Sequence, residues 1–195
     1  MRPTEIRIAG LAEQGVILLA KTIAKALVTV EGTHAMMTQD VDTSAEDCST
    51  QIIVSNEPIV YHHVSNPDIL VVMSQQSHAK FAPGVKAGGL ILLEQDLVHA
   101  TGVRQPSRVY GVPAMRLAEE TGNRALMNIV MLGSFAAVAD VLPFKTLRKA
   151  LESSVPSAFR RLNLKAFDKG YEYGTKKAAS GLSELSTPAL RPCRL

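Results

Sequence analysis

Along the first thirty residues the apolar positions switch from a period of two to a helical one. Ile6 and Ile8 alternate on a short buried strand that breaks at Gly10, and the apolar run from Val16 to Leu27 predicts a helix reaching about Glu31, where Gly32 stops it. His34 to Gln39 returns as a second strand of mixed polarity. The acidic stretch Asp40 to Asp47, DVDTSAED, reads as a surface loop. Cys48 to Ser55 is β-branched and predicts a third strand, which the turn Asn56-Glu57-Pro58 folds back on Ile59 to Tyr61 as a hairpin. Ile69 to Met73 and Leu90 to Leu93 are continuous apolar runs, as expected of parallel strands buried on both faces. Between them Ser74 or Ser77 caps a short helix, His78 to Phe81. Arg108 to Val112 is the last strand, followed from Ala114 to Gly122 by a helical pattern.

The C-terminal half is helical. Asn123 to Val141 is apolar on nearly every side, which predicts a helix buried in the core or against a partner, and its small residues Gly133, Ser134, Ala136 and Ala137 favour a partly intermolecular role. Pro143 starts a second helix, Phe144 to Ser154. A third, amphipathic helix runs from Ala158 to about Gly174 with Arg160, Arg161 and Lys165 on its polar side. From Thr175 onward periodicity is lost, so residues 1–174 form one domain and 175–195 a disordered tail. The expected fold is α/β and three-layered, with a mostly parallel sheet, a hairpin and C-terminal helices.

Composition narrows the function. Hydrophobic residues at 46% and charged residues at 20% describe a globular chain, and no apolar run approaches the roughly 18 residues a membrane span needs, so a cytoplasmic protein is expected. A net charge of +3 with interleaved signs gives no reason to expect nucleic acid. Two distant cysteines, Cys48 and Cys193, provide neither a disulfide framework nor the four thiolates of a cluster or structural zinc.

Candidate chemistry is concentrated at strand ends. A strand, a glycine turn and a helix N-terminus form an anion site, because the first helical turn leaves N–H groups unpaired and carries the positive end of the helix dipole. Gly10, Ala12 and Gly15 fall short of a dinucleotide fingerprint, and Ala12 and Glu13 crowd and repel a pyrophosphate. Ser74 and Gln75 follow a buried parallel strand, where open α/β sheets place ligands. Gly10, Gln14, Gly15, Ser74 and Gln75 are therefore the candidate ligand contacts. His62 and His63 point to opposite sides of a strand, and the carboxylates Asp40, Asp42, Glu46 and Asp47 lack a calcium-loop spacing, so no metal site and no catalytic set is expected.

Seven segments in order, IRIAG…QGV, SNEPIVY, PDILVVMSQ, KAGGLILLEQDLV, RVYGVPA, GNRALMNIVMLG and LNLKAFDKGYEYG, resemble the gamma subunit, or gamma domain, of the ferredoxin-dependent 2-oxoacid oxidoreductases over about Ile6 to Gly174. The resemblance implies one subunit of an assembly that decarboxylates pyruvate, 2-oxoglutarate or indolepyruvate on thiamine diphosphate, passes electrons through iron–sulfur clusters to ferredoxin, and delivers the acyl group to coenzyme A. The thiamine and the clusters then belong to alpha/beta-type and ferredoxin-type partners, with contacts between copies of this chain a further expectation. The chain itself lies on the coenzyme A side and is inactive alone. Against the family pattern Gly-x-Gly-Gly-Gln-Gly, Gly10, Gln14 and Gly15 match, while Ala12 and Glu13 replace glycines. The family's next loop carries Ser-Tyr-Gly-Pro-Glu and an arginine, where Asp40 to Cys48 is acidic. Two other readings use the same residues: a free-standing nucleotide- or flavin-binding protein, and a binding module that kept the scaffold and lost its ligand.

Overall fold

A computed structural model describes residues 3–41, 47–103 and 106–180. Among them six strands form one sheet in the order β2-β3-β1-β4-β5-β6. The strands are β1 Thr4–Leu11, β2 His34–Val41, β3 Asp47–Ser55, β4 Ile69–Val72, β5 Leu90–Glu94 and β6 Arg108–Val112. β1, β4, β5 and β6 are parallel, whereas β3 runs antiparallel to both β1 and β2. The helices are α1 Val16–Leu27, α2 Gln75–Phe81, α3 Ala114–Thr121, α4 Met127–Val138, α5 Phe144–Glu152 and α6 Ser157–Ala179.

The layers are unequal because the sheet's two faces differ in chemistry. Ile6, Ile8, Ile52, Val71 and Leu92 point to one face and join α1 and α3 to α6 in the main core, which includes Leu19, Ile23, Phe135 and Phe167. On the other face Leu70, Val72, Ile91, Leu93 and Val109 form a smaller core with Ala82, Val85 and Val98. Along β1 and β3 that second face is polar, with Arg7, Ser49 and Gln51 buried.

The expected hairpin is corrected. β3 is flanked on both sides, by β1 and by β2, so Ile59 to Tyr61 has no edge to join. The residues after Pro58 instead cross the polar face without strand structure: the Thr38 hydroxyl donates to the His62 carbonyl, and the Val64 N–H donates to the Gln51 side chain. The antiparallel pair is β2 with β3, so Asp40 is a strand residue and Asp47 opens a strand. Asp42 and Glu46 lie outside the described residues.

α1 ends at Leu27 rather than Glu31. Val28, Thr29 and Val30 are β-branched, and Thr29 and Val30 donate to carbonyls three residues back, which tightens the chain into turns ahead of Gly32 at φ 72°. α6 continues past Gly174 to Ala179, so the five residues after Gly174 are helical, and 181–195 lie outside the described residues.

α4 is the larger correction. Asn123 caps a 3-10 turn over Arg124–Leu126, and every residue of the helix is buried within this chain except Ala136 and Ala137, which are half-buried. No face is left for a partner, because α6 covers the side away from the sheet at backbone contact. A Cβ on Gly133 would lie 2.0 Å from the Phe167 carbonyl oxygen, and one on Gly170 2.0 Å from that of Val130. The Ser134 hydroxyl donates to the Gly170 carbonyl at 2.9 Å.

A methyl group at either glycine must force the two backbones apart. Gly170→Ala is expected to cost about 2 kcal/mol or more, even though alanine is the better helix former by about 1 kcal/mol. Denaturant unfolding checks this, and an unchanged midpoint would show that the helices do not touch there.

Candidate functional site

β1 belongs to both halves of the sheet. After it the chain moves to the β3–β2 side, and β4 begins the run toward β6, so the two halves diverge between β1 and β4. A crevice at the carboxyl ends of strands on such a switch point is where open α/β sheets hold ligands. The end of β1, the turn after it and the residues after β4 meet at this point, and they include all five candidates.

The turn is built by glycines under steric demand. Gly15 has φ 73°, a left-handed conformation that favours glycine, and precedes α1. Behind it, Asn128 of α4 donates to the Gly15 carbonyl at 3.3 Å, and a Cβ on Gly15 would come within 2.2 Å of Asn128 Nδ2. At Gly10 a Cβ would lie 2.5 Å from Gln14 Oε1. The space a glycine leaves for a phosphate in a nucleotide fold is here filled by the protein's own side chain.

Gln14 ties the crevice together. Its Oε1 accepts from the Leu11 N–H at 2.7 Å, and its Nε2 donates to the Met73 carbonyl at 2.9 Å. One carboxamide thus bridges the ends of β1 and β4. The Leu11 N–H, which an anion in the turn would use, already has a partner.

Ser74 and Gln75 lie next to this bridge in different roles. Ser74 is buried at the N-terminus of α2, where its hydroxyl accepts from the Ser77 N–H at 3.1 Å and donates to Ser77 Oγ at 2.9 Å. Gln75 is exposed and pairs with the backbone of His99, accepting its N–H at 2.7 Å and donating to its carbonyl at 3.3 Å. Among the five, then, Gly10, Gln14 and Gly15 shape the turn, Ser74 caps a helix, and Gln75 forms part of the crevice rim. Ala12, Glu13 and Gln76 are exposed on the same elements.

Two carboxylates change meaning in three dimensions. Asp40 pairs with Arg7 at 2.9 Å and accepts from Ser49 and Gln51. Burial pulls its carboxyl up, but the Gln51 and Ser49 hydrogen bonds and the Arg7 charge outweigh that and leave it below the usual 3.8. Its charge is compensated, so Asp40 is not a free repulsive group. Glu94, at the end of β5, is fully buried and accepts N–H bonds from Asp96, Leu97 and Met115. Burial raises its pKa despite those bonds, and its bond to Met115 fastens the start of α3.

The sequence reading missed Arg7 and Asn128. Each was visible as a polar residue breaking an apolar run, but only the sheet order reveals what it meets. His78, which opens the short helix expected from the sequence, is 0% exposed with no partner for either ring nitrogen, and burial lowers its pKa. No group of three or more His, Cys, Asp or Glu among the described residues is placed to hold a metal ion.

These features define an α/β switch-point protein whose glycine turn is closed by a glutamine. The family model described as pyruvate ferredoxin/flavodoxin oxidoreductase matches residues 5–173, and the chain belongs to that family. Over 172 residues it is 34% identical to the 2-oxoglutarate synthase subunit KorC of Methanocaldococcus jannaschii, covering 86% of this chain and 92% of that one. The gamma subunit of keto/oxoacid ferredoxin oxidoreductase from Geobacter sulfurreducens superposes with a TM-score of 0.83 at 28% identity, over 90% of this chain and 98% of that one. The 2-oxoglutarate:ferredoxin oxidoreductase of Magnetococcus marinus, solved with 2-oxoglutarate, coenzyme A and succinyl-CoA bound, shares the fold at a TM-score of 0.77 and 18% identity, over 90% of this chain and 32% of that one. The resemblance read from the seven segments is correct: this is a gamma-type subunit of the 2-oxoacid:ferredoxin oxidoreductases.

Replacing Gln14 by leucine removes both hydrogen bonds of the β1–β4 bridge and leaves the Leu11 N–H and the Met73 carbonyl without that partner. A loss of about 1–2 kcal/mol is expected, with faster hydrogen exchange at the Leu11 amide. Exchange at Leu11 that did not change would mean that the bond is not formed in solution. For Asp40 the folded pKa lies below the unfolded value, so its stabilisation is present above 3.8 and is lost as pH falls through the folded value. The stability gap between the wild type and Asp40→Asn should therefore narrow as the pH falls below 3.8 in denaturant unfolding.

Proposed function

We propose that this subunit works inside a cytoplasmic complex that oxidatively decarboxylates a 2-oxoacid and passes the acyl group to coenzyme A. In this reading thiamine diphosphate and the iron–sulfur clusters are held by alpha/beta-type and ferredoxin-type partners. The gamma chain covers the coenzyme A side and supports assembly, with the switch-point crevice turned to the ligand. The observation that carries the reading is the junction of the β1 and β4 ends at Gln14, in a chain matched to the family from residue 5 to 173. No helix among the described residues is long and apolar enough to cross a membrane.

The crevice chemistry limits how coenzyme A is held. With the Leu11 N–H already bonded and Glu13 exposed, an incoming phosphate does not find a bare glycine nest, so the contacts are assigned to the rim, where Gln75 and the Ala12–Glu13 backbone lie. Gly10, Gln14, Gly15 and Ser74 position that rim. A second reading, favoured by the Gln14 plug itself, is a gamma chain that keeps the scaffold and leaves the acyl acceptor wholly to its partners.

Purification from the native host tests assembly: thiamine-binding and cluster-bearing chains should co-elute, and a chain that emerges alone ends the proposal. Calorimetry with coenzyme A on the assembled complex separates the two readings. Glu13→Gln should tighten binding about two- to fivefold at low salt and lose the effect at high salt, because it removes a solvent-screened like charge. Affinity indifferent to Glu13 and to bulk at Gln75 favours the scaffold reading.

A further inference from the structure

The sheet ends in two very different edges. β6 is five residues long, starts with the exposed Arg108, and has α6 packed against it. β2 is eight residues long, contains no lysine, arginine or proline, has its one acidic side chain, Asp40, already ion-paired with Arg7, and has no strand beyond it among the described residues. Its register with β3 runs unbroken from His34↔Ser55 to Val41↔Cys48, so no bulge twists the edge away. None of His34 to Asp40 is fully buried, and Ala35, Met36 and Met37 are left half-exposed. Proteins that keep such an edge free blunt it with charge, proline or a bulge, and an unblunted edge is a template for another strand.

We propose that β2 pairs antiparallel with β2 of a second copy of this chain, about a two-fold axis at Met37. Symmetry and hydrogen bonding select the register. In a self-paired antiparallel edge the sum of partner numbers is constant, and because outward N–H and C=O groups belong to alternate residues, that sum must be even. Two registers then keep all but one of the strand's eight residues paired. One centres on Thr38 and sets Ala35 against Val41. The other centres on Met37 and sets His34 against Asp40. Only the second places an imidazole opposite a carboxylate, on the same sheet face, and symmetry repeats the pair. The Asp40 side chain remains 44% exposed despite its bond to Arg7, which leaves room for a second contact. The same register covers Met36 with Thr38 of the second copy and doubles the six strands into one continuous sheet. It does not depend on the 2-oxoacid complex.

Cysteine cross-linking of the full chain, with Cys193→Ser as background, reads the register directly. On the axis the two copies of residue 37 have Cα atoms about 4.5–5.5 Å apart, within the roughly 4.4–6.8 Å of disulfides. Met37→Cys should oxidise to a covalent dimer. Met36→Cys and Thr38→Cys should each stay monomeric under denaturing electrophoresis when alone, and cross-link when mixed. In sedimentation equilibrium His34→Asp should weaken the unmodified dimer about tenfold, since two like-charge pairs replace two attractive ones, whereas His34→Lys should not weaken it. A wild-type chain that sediments as a monomer, cross-linking that ignores position, or a dimer indifferent to His34→Asp overturns the pairing.

Discussion

One carboxamide sets the geometry on which the crevice depends. β1 and β4 are neighbours in the sheet, yet the chain leaves them in opposite directions, which would leave the backbone at their ends without ladder partners. Gln14 supplies what is missing, taking the Leu11 N–H and giving to the Met73 carbonyl. The bridge gives the glycine at position 10 a purpose, because a methyl group there would push Gln14 Oε1 out of the bridging position. It also explains why the turn departs from a nucleotide fingerprint without disorder. In a nucleotide fold the ligand's oxygen satisfies the strand-end N–H, whereas here a side-chain oxygen does so permanently.

The helical layer obeys a second constraint, the burial of α4. A helix with no polar face must be enclosed on all sides, and in this chain the sheet and α1 do that on one side and α6 on the other. Glycines at 133, 170 and 174 bring α4 and α6 to backbone contact, and the ring cluster of Phe144, Phe167 and Tyr171 closes the layer where α5 meets α6. α4 in turn carries Asn128 to the back of Gly15, so the core helix and the crevice turn are one mechanical unit. The α4–α6 crossing therefore sits directly behind the turn, with Asn128 as the contact between them.

This coupling shows what the sequence could and could not reveal. The parallel strands were legible because a strand covered on both faces has to be continuously apolar, and Ile69 to Val72 and Leu90 to Leu93 are. The partner of Cys48–Ser55 was not legible, since a hairpin with Ile59 to Tyr61 and a hairpin with His34 to Val41 fit the local pattern equally well. The choice between them is made by β1, far away in sequence, which occupies the other side of β3. α4 was recognised as buried, but apolar periodicity does not distinguish a cover made by the chain from one made by a partner. The glycines opposite one another on α4 and α6 held that information in a form visible only after the helices are paired. At the turn, Gly10, Gln14 and Gly15 were identified as a group, while their roles needed the Met73 carbonyl and Asn128, both distant in the chain.

If α4 is excluded as the meeting surface, contact between subunits has to be made elsewhere, and the structure restricts where. The helical face is largely charged, with Arg148 bound to Asp168 and Lys169 to Glu120, and such solvated ion pairs contribute little to association. The second sheet face is overlaid by α2 and by the segment crossing Arg7, Gln51 and Thr38. The edges remain, and β6 is short and flanked by α6. Exposed apolar side chains such as Val28, Val60 and Phe159 lie scattered over other elements, whereas on β2 an outer row of backbone groups, half-exposed methionines and a proposed acid–imidazole register coincide. That edge adjoins β3, which adjoins β1, so an added strand would lie two strands from the Gln14 bridge and extend the sheet without covering its carboxyl-end crevice. Self-association and ligand access are therefore compatible in this fold.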